Sequence, residues 1–197
     1  AQQNPQIYVI TVDGSINPST ADFIHKSIEE AKNKNAECLV IRLNTPGGLL
    51  KSTRYIVSDL LTSPIPIIVY VSPGGSQSAS AGVFITLASH IAVMAPGTNI
   101  GASHPVSGDG SKMDSTMSEK VTNDAAASIR SISEKRKRNV KWSEDAVRNS
   151  VSITETEALK DSVIDLIAND MNDLLAKIDG REVETSTGKK ILNTKNH

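Results

Sequence analysis

The apolar residues of this chain fall into short runs of strand length, separated by stretches with helical spacing. Ile7-Tyr8-Val9-Ile10-Thr11-Val12 is the first run, and it stops at the turn pair Asp13-Gly14. A helix is predicted next. Asn17 is placed to cap it, Pro18 suits its first position, and Ile24, Ile28 and Ala31 recur at helical intervals through Lys32. Cys38 to Leu43 reads as a second buried strand. The loop Asn44-Thr45-Pro46-Gly47-Gly48 then leads into a helix with Tyr55, Ile56, Leu60 and Leu61 as its apolar face, broken at Ser63-Pro64. Ile67 to Val71 is a third strand and Ser72 to Gln77 a loop. The small-residue segment Ser78-Ala79-Ser80-Ala81-Gly82 opens a helix running to about Ala88, and Ile91 to Met94 is strand again.

Beyond Ile100 the pattern loosens. Ser103 to Ser118 is polar and carries Gly108, Asp109, Gly110 and Ser111, which predicts a long mobile loop able to act as a lid. A helix is expected from about Glu119 to Arg138. Thr154 with Glu157 is a capping-box pair for a short helix, Val163 to Ile167 reads as a last strand, and Asp170 caps Met171 to Lys177. From Arg181 onward polar residues dominate, so the domain is taken as residues 1–180 and 181–197 as a frayed tail or linker. Strands alternating with helices in this way predict an α/β fold with a mainly parallel sheet. Ligands of such sheets gather at the carboxyl ends of strands. Both glycine loops, one after Leu43 and one after Val71, lie at such ends.

Composition narrows the partners. The 197 residues suit one domain with a continuous core, and no solenoid repeat is present. With 21 Lys plus Arg against 22 Asp plus Glu the net charge is −1, and the two Phe, three Tyr and one Trp leave little for base stacking. No basic field exists to hold nucleic acid. The single cysteine, Cys38, lies in an apolar run and reads as a small buried hydrophobe, which leaves the redox compartment open. The longest apolar run, Ile65 to Val71, contains Pro66 and falls far short of the roughly 18 residues a membrane span needs. The chain opens Ala-Gln-Gln without a Met, so a targeting segment could already be gone and its absence says nothing about the compartment. The four cations Lys135 to Arg138 could form a phosphate patch, but near a helix C-terminus they are expected to complement the dipole.

Among 24 serines, Ser80 stands out by context, at the start of a predicted helix that follows a strand and a glycine loop. Unpaired amides at a helix N-terminus can stabilise an oxyanion forming on an attacked carbonyl. Pro46-Gly47-Gly48 supplies further amides unshielded by side chains, so Gly47 or Gly48 could give one donor and Ala81 the other. A hydroxyl nucleophile also needs a base, and the candidates are fourteen lysines and four histidines. His25 and His197 read as solvated or packing residues, and His90 sits at a helix end. His104 and Lys120 bracket the lid.

The run Leu43-Asn44-Thr45-Pro46-Gly47-Gly48, followed by Ser78-Ala79-Ser80-Ala81-Gly82, Met94-Ala95-Pro96-Gly97-Thr98-Asn99-Ile100-Gly101-Ala102 and Lys120-Val121-Thr122-Asn123, resembles the catalytic domain of NfeD-type membrane serine proteases. These stomatin-operon partners are related to signal peptide peptidase A and more distantly to ClpP. The resemblance runs from about Ile7 to Leu175. It implies a ClpP/crotonase-like spiral of ββα units, peptide-bond hydrolysis without cofactor or metal, and a Ser-Lys dyad. Ser80 then matches the nucleophile, Lys120 the general base, and Gly48 with Ala81 the oxyanion donors. His104, followed by Pro105 and 24 residues beyond Ser80, also matches the histidine of a ClpP triad. With Lys120 as base, His104 becomes part of the site wall.

The resemblance further implies a full-length protein with a signal sequence before Ala1 and membrane-spanning segments after the tail. This domain would lie outside the cytoplasm, act on apolar segments of a stomatin-like membrane protein, and assemble as a homodimer or higher homo-oligomer. The rivals are a crotonase-type acyl-CoA enzyme and an assembly domain without turnover. Chemistry adds one requirement: a lysine base must fall from about 10.4 to roughly 7–8, so Lys120 must be desolvated and its neighbours Glu119 and Asp124 must point elsewhere.

Overall fold

The computed structural model describes residues 4–195, so His197 lies outside the described residues. Its centre is a five-stranded parallel sheet of β1 (Ile7–Asp13), β2 (Cys38–Asn44), β3 (Ile67–Val71), β5 (Ile91–Met94) and β8 (Leu166–Ile167), hydrogen-bonded in that order. A smaller three-stranded sheet holds β4 (Gln77–Ala79), parallel to β6 (Asn99–Gly101), which pairs antiparallel with β7 (Ser152–Thr154). The α/β class and the parallel sheet expected from the pattern are both present.

Alternation along the central strands divides the core in two, because successive side chains leave opposite faces. Leu39, Ile41 and Leu43 of β2, with Ile67, Val69 and Val71 of β3, join the larger cluster. That cluster sits under α1 (Pro18–Asn33), α2 (Leu50–Thr62), α3 (Ala81–Ala88), α4 (Ser115–Arg136) and α5 (Val140–Arg148). Cys38, Val40, Ile68 and Tyr70 point the other way, toward α7 (Met171–Ile178) and the hairpin β9 (Glu182–Thr185) and β10 (Gly188–Ile191). Burial pushes the Cys38 thiol up to about 12, as befits an inert core residue.

Local signals account for the helix starts. Asn17 caps α1 and forms a capping box with Thr20, Thr154 does the same for α6 (Glu155–Lys160) with Glu157, and Asp170 caps α7. Several expectations are corrected. Tyr55 is 58% exposed and not on the buried face of α2, which is made by Ser52, Thr53, Ile56 and Leu60. The helix expected from Glu119 begins earlier, at Ser115, because Asp114 caps it by accepting from the Met117 amide. It stops at the left-handed residue Lys137, and Asn139 then caps α5, a helix the polar sequence hid. The segment from Arg181, expected as a frayed tail or linker, contains the β9–β10 hairpin, and its residues Val183 and Leu192 are buried.

Arg136 and Arg138 do more than complement the dipole of α4. Arg136 donates to the carbonyls of Ala88 and Leu60, and Arg138 to those of Leu87 and Ser89 and to the Asp165 carboxylate. They thereby satisfy the orphan carbonyls that end α2 and α3 and fix α3 at its C-terminus.

Candidate active site

Ser80 joins β4 to α3 with φ 54° and ψ −114°, a conformation that costs a non-glycine residue energy and persists only where neighbours over-determine it. The neighbours do so. β4 is paired in register with β6, the Ser80 amide donates to the Gly101 carbonyl at 3.4 Å, and the Val83 amide donates to the Ser80 carbonyl at 3.0 Å. The Ser80 hydroxyl makes no capping bond to its own helix, and the residue is half-buried at the strand–turn–helix junction. Its neighbour Ser78 is fully buried, with its hydroxyl bonded to that of Thr86 at 2.8 Å. Ser78 is therefore a packing residue, whereas the Ser80 hydroxyl is not tied to its own helix.

The glycine loop after β2 is sewn onto the segment that carries Ser80. The Thr45 amide donates to the Gln77 carbonyl at 2.9 Å and the Ala79 amide to the Thr45 carbonyl at 3.1 Å. On its other side, the Ile16 amide donates to the Gly47 carbonyl and the Leu49 amide to the Ile16 carbonyl, both at 2.8 Å. The consequence is close approach. A methyl placed on Gly47, whose φ is +121°, would lie 2.6 Å from Ser80 Cβ and 2.9 Å from Ser80 Oγ. One on Gly48 would lie 2.0 Å from the Ile16 carbonyl oxygen. Only glycine fits either position. Among the described residues, neither the Gly48 amide nor the Ala81 amide donates to a protein acceptor. The structure thus brings Gly47, Gly48, Ser80 and Ala81 together.

The basic residues are placed differently. Lys120 is exposed on the second turn of α4 and, among the described residues, neither bonds Ser80 nor forms an ion pair. Its helix neighbour Asp124 pairs instead with Arg54 of α2. His104, three residues past the end of β6, is pinned to α5, its Nδ1 donating to the Val147 carbonyl at 2.9 Å, so that in the neutral ring Nε2 carries the lone pair. His25 pairs with Asp59 at 3.1 Å across α1 and α2. His90 Nδ1 accepts from the Ile67 amide, and burial with the Arg136 and Arg138 charges lowers the ring to about 3. Neither His25 nor His90 touches Ser80 among the described residues.

The segment expected to act as a lid differs in form from the expectation. Residues 102–114 are irregular, while Ser115 to Ser118 are already helix. Its start is anchored by bonds from the Ala102 amide to Val151 and from the Ser103 amide to Ala146. Its tip is an Asx turn in which Asp109 accepts from the Ser107 hydroxyl and the Ser111 amide, and these bonds hold the exposed carboxyl well below its usual range. Next to the glycine loop, a cavity of about 320 Å³ opens between α2, α3 and α4, lined by Leu50, Arg54, Val57, Phe84 and Ala125 among others.

The sequence model of the NfeD1b N-terminal domain matches residues 6–195, nearly the whole chain. The chain belongs to the NfeD1b N-terminal domain family. Among curated proteins it is similar to the membrane-bound protease PH1510 of Pyrococcus horikoshii, with 39% identity over 181 residues, covering 90% of this chain and 41% of that protein. It is also similar to the membrane protein NfeD1b of Bacillus subtilis, with 38% identity over 109 residues, 55% of this chain and 24% of that protein. The chain therefore spans less than half the length of these relatives. Among solved structures, it resembles the 1510-N membrane-bound stomatin-specific protease, determined as a lysine-to-alanine mutant in complex with a substrate peptide. The TM-score is 0.91 at 38% identity, covering 98% of this chain and 89% of that one. A serine-to-alanine mutant of the same protease matches with TM-score 0.91 and 37% identity, covering 98% of this chain and 95% of that one. ClpP1 from Listeria monocytogenes shares the fold alone, with TM-score 0.67 at 16% identity over 84% of this chain and 94% of its own.

Within this NfeD1b domain, two structural features escaped sequence reasoning. The three-residue strands β4 and β6 fix Ser80 but are too short to show a period of two, and the Arg54–Asp124 pair joins positions 70 residues apart. The glycine loops themselves were the usable signal. No helix in the described residues is long and apolar enough to cross a membrane.

Proposed function

We propose that this NfeD1b domain is a serine endopeptidase in which Ser80 is the nucleophile, Lys120 the general base, and the amides of Gly48 and Ala81 the oxyanion donors. The observation that carries this reading is the strained Ser80 junction, pressed against Gly47 and flanked by two amides without protein acceptors. Ser80 Oγ attacks the scissile carbonyl carbon as its proton passes to the Lys120 amine, and the carbonyl oxygen takes up negative charge between the two amides. The intermediate collapses with proton return to the leaving amine, giving an acyl-enzyme. Water, deprotonated by the same lysine, then releases the acid and regenerates Ser80.

The relatives support the assignment of both residues. The mutated serine and lysine of the stomatin-specific protease lie 41 residues apart in sequence, one more than the 40 between Ser80 and Lys120. Exposed Leu49 and Leu50 after the glycine loop, and Val106 and Met117 around the lid, favour an apolar peptide that excludes water from Lys120 on binding. A stomatin-like membrane protein fits that chemistry. The reading extends to a membrane-anchored full-length protein with this domain outside the cytoplasm, working as a homodimer or larger homo-oligomer.

His104 carries the second reading, because its Val147 bond leaves Nε2 able to accept a proton. Peptide hydrolysis by three variants separates the two. Lys120→Ala and Lys120→Arg are expected to lose at least about 10²-fold in kcat/KM, since guanidinium stays protonated, whereas His104→Ala loses less than about tenfold. An inactive His104→Ala beside an active Lys120→Ala would replace the dyad with a ClpP-like triad.

A further inference from the structure

The ion pair between Arg54 and Asp124 has an electrostatic consequence for the proposed base. Asp124 lies four residues after Lys120 on α4, and side chains at that spacing share one helix face. Left alone, the Asp124 carboxylate would stabilise the Lys120 ammonium, the form that cannot accept a proton. Arg54 reaches across from α2 and takes that carboxylate. It is placed to do so because α2 starts directly after the glycine loop, and Arg54 lines the cavity that also holds Leu50, two residues past Gly48, and Phe84, four past Ser80.

We infer that Arg54 is a positioning residue for the reaction: by holding Asp124 away from Lys120, it keeps the base competent. The inference rests on the proposed Ser80–Lys120 reading. The other charged groups around α4 do not replace Arg54. On α4 itself, Asp114 is the helix cap and Glu119 lies next to Lys120 in sequence. Glu144 of α5 is held by Arg130 and Arg148, and Arg148 also donates to the Asn123 side chain. Lys141 and Asp145 complete the charges of α5, Lys51 and Asp59 those of α2, with Asp59 paired to His25, and α3 brings no charge. Arg54 is thus the cation that meets the carboxylate one turn beyond the base.

Arg54 and Asp124 are both more than half exposed, so their pairing adds little to stability and substitution leaves the fold intact. The test is the pH profile of peptide hydrolysis by the 197-residue domain in four forms: unchanged, Arg54→Ala, Asp124→Asn and the double variant. Arg54→Ala removes a cation and releases an anion toward Lys120, and both changes favour the ammonium. Its acidic limb is expected to move to higher pH by about 0.3 to 0.7 unit, roughly two- to fivefold less activity at a fixed pH on that limb. Asp124→Asn alone should not move the limb upward, and the double variant should return it most of the way. A purely structural role would lower the whole profile without moving its limb. An unmoved limb in Arg54→Ala, or no recovery in the double variant, overturns the inference. Lys120→Ala run alongside separates the two layers: if it stays active the dyad reading fails, and if it is inactive while the Arg54→Ala limb is unmoved, only the role of Arg54 fails.

Discussion

The two halves of the site are built in opposite ways. The proposed nucleophile half is made of backbone: the loop after β2, the segment β4 and the first turn of α3 are joined by short main-chain bonds, and Gly47 packs on Ser80 with no room for a methyl. The proposed base half is made of side chains on a helix surface: Lys120 is exposed, α4 begins at the end of an irregular segment, and its link to α2 is an exposed ion pair. The difference follows from what each half must do. Oxyanion donors work only within a few tenths of an ångström, which calls for the proposed donors to be fixed before substrate arrives. A lysine base must lose its hydration to become neutral, and an incoming apolar peptide can supply that burial where a rigid pocket would have to maintain it permanently.

Gly47→Ala is the strongest way to break this comparison. The methyl would force Ser80 off its position and strain a residue at positive φ, so acylation should fall by at least about 10²-fold while the remote second core stays folded. Rates of acylation and a thermal melt check this together. If Gly47→Ala acylates normally, the loop is not a rigid wall of the site.

A smaller effect sharpens it from the scaffold side. His90 follows α3, accepts from the Ile67 amide, and stays neutral in the fold, its value lowered to about 3 against 6.5 for a free ring. Because the folded value lies below the unfolded one, the native state is favoured above pH 6.5, and that advantage is lost as pH falls from about 6.5 toward about 3. His90→Asn keeps an acceptor for Ile67 and removes the titration. Its melting temperature should therefore fall less than that of the unchanged chain between pH 7 and pH 4.

Much of the rigid half was legible in the sequence because its signals are local. Asn17-Pro18 starts α1, the runs at β2 and β3 mark buried strands, and Pro46-Gly47-Gly48 and Ser80-Ala81-Gly82 sit where an α/β sheet collects ligands. What stayed hidden depends on long-range partners. Arg136 and Arg138 read as cations complementing a helix dipole, yet they also cap α2 and α3. Val140–Arg148 lacks a continuous apolar run, and its helix is set by the Asn139 cap and the burial of Trp142, Ala146 and Val147. The hairpin after Arg181 anchors through Val183, and through Leu192 just beyond it, amid polar neighbours. Nor does sequence alone indicate that Lys120 lies exposed with its neighbouring carboxylate claimed by Arg54.

The central claim is that Ser80 is the nucleophile of a preformed acylation site. The most direct test is a fluorophosphonate probe followed by peptide mapping of the labelled domain. The account predicts one adduct, on the peptide containing Ser80, absent from Ser80→Ala although that variant melts within a few degrees of the unchanged chain. Peptide hydrolysis that persists in Ser80→Ala, or an adduct that maps to another serine while Ser80 stays unmodified, would contradict it.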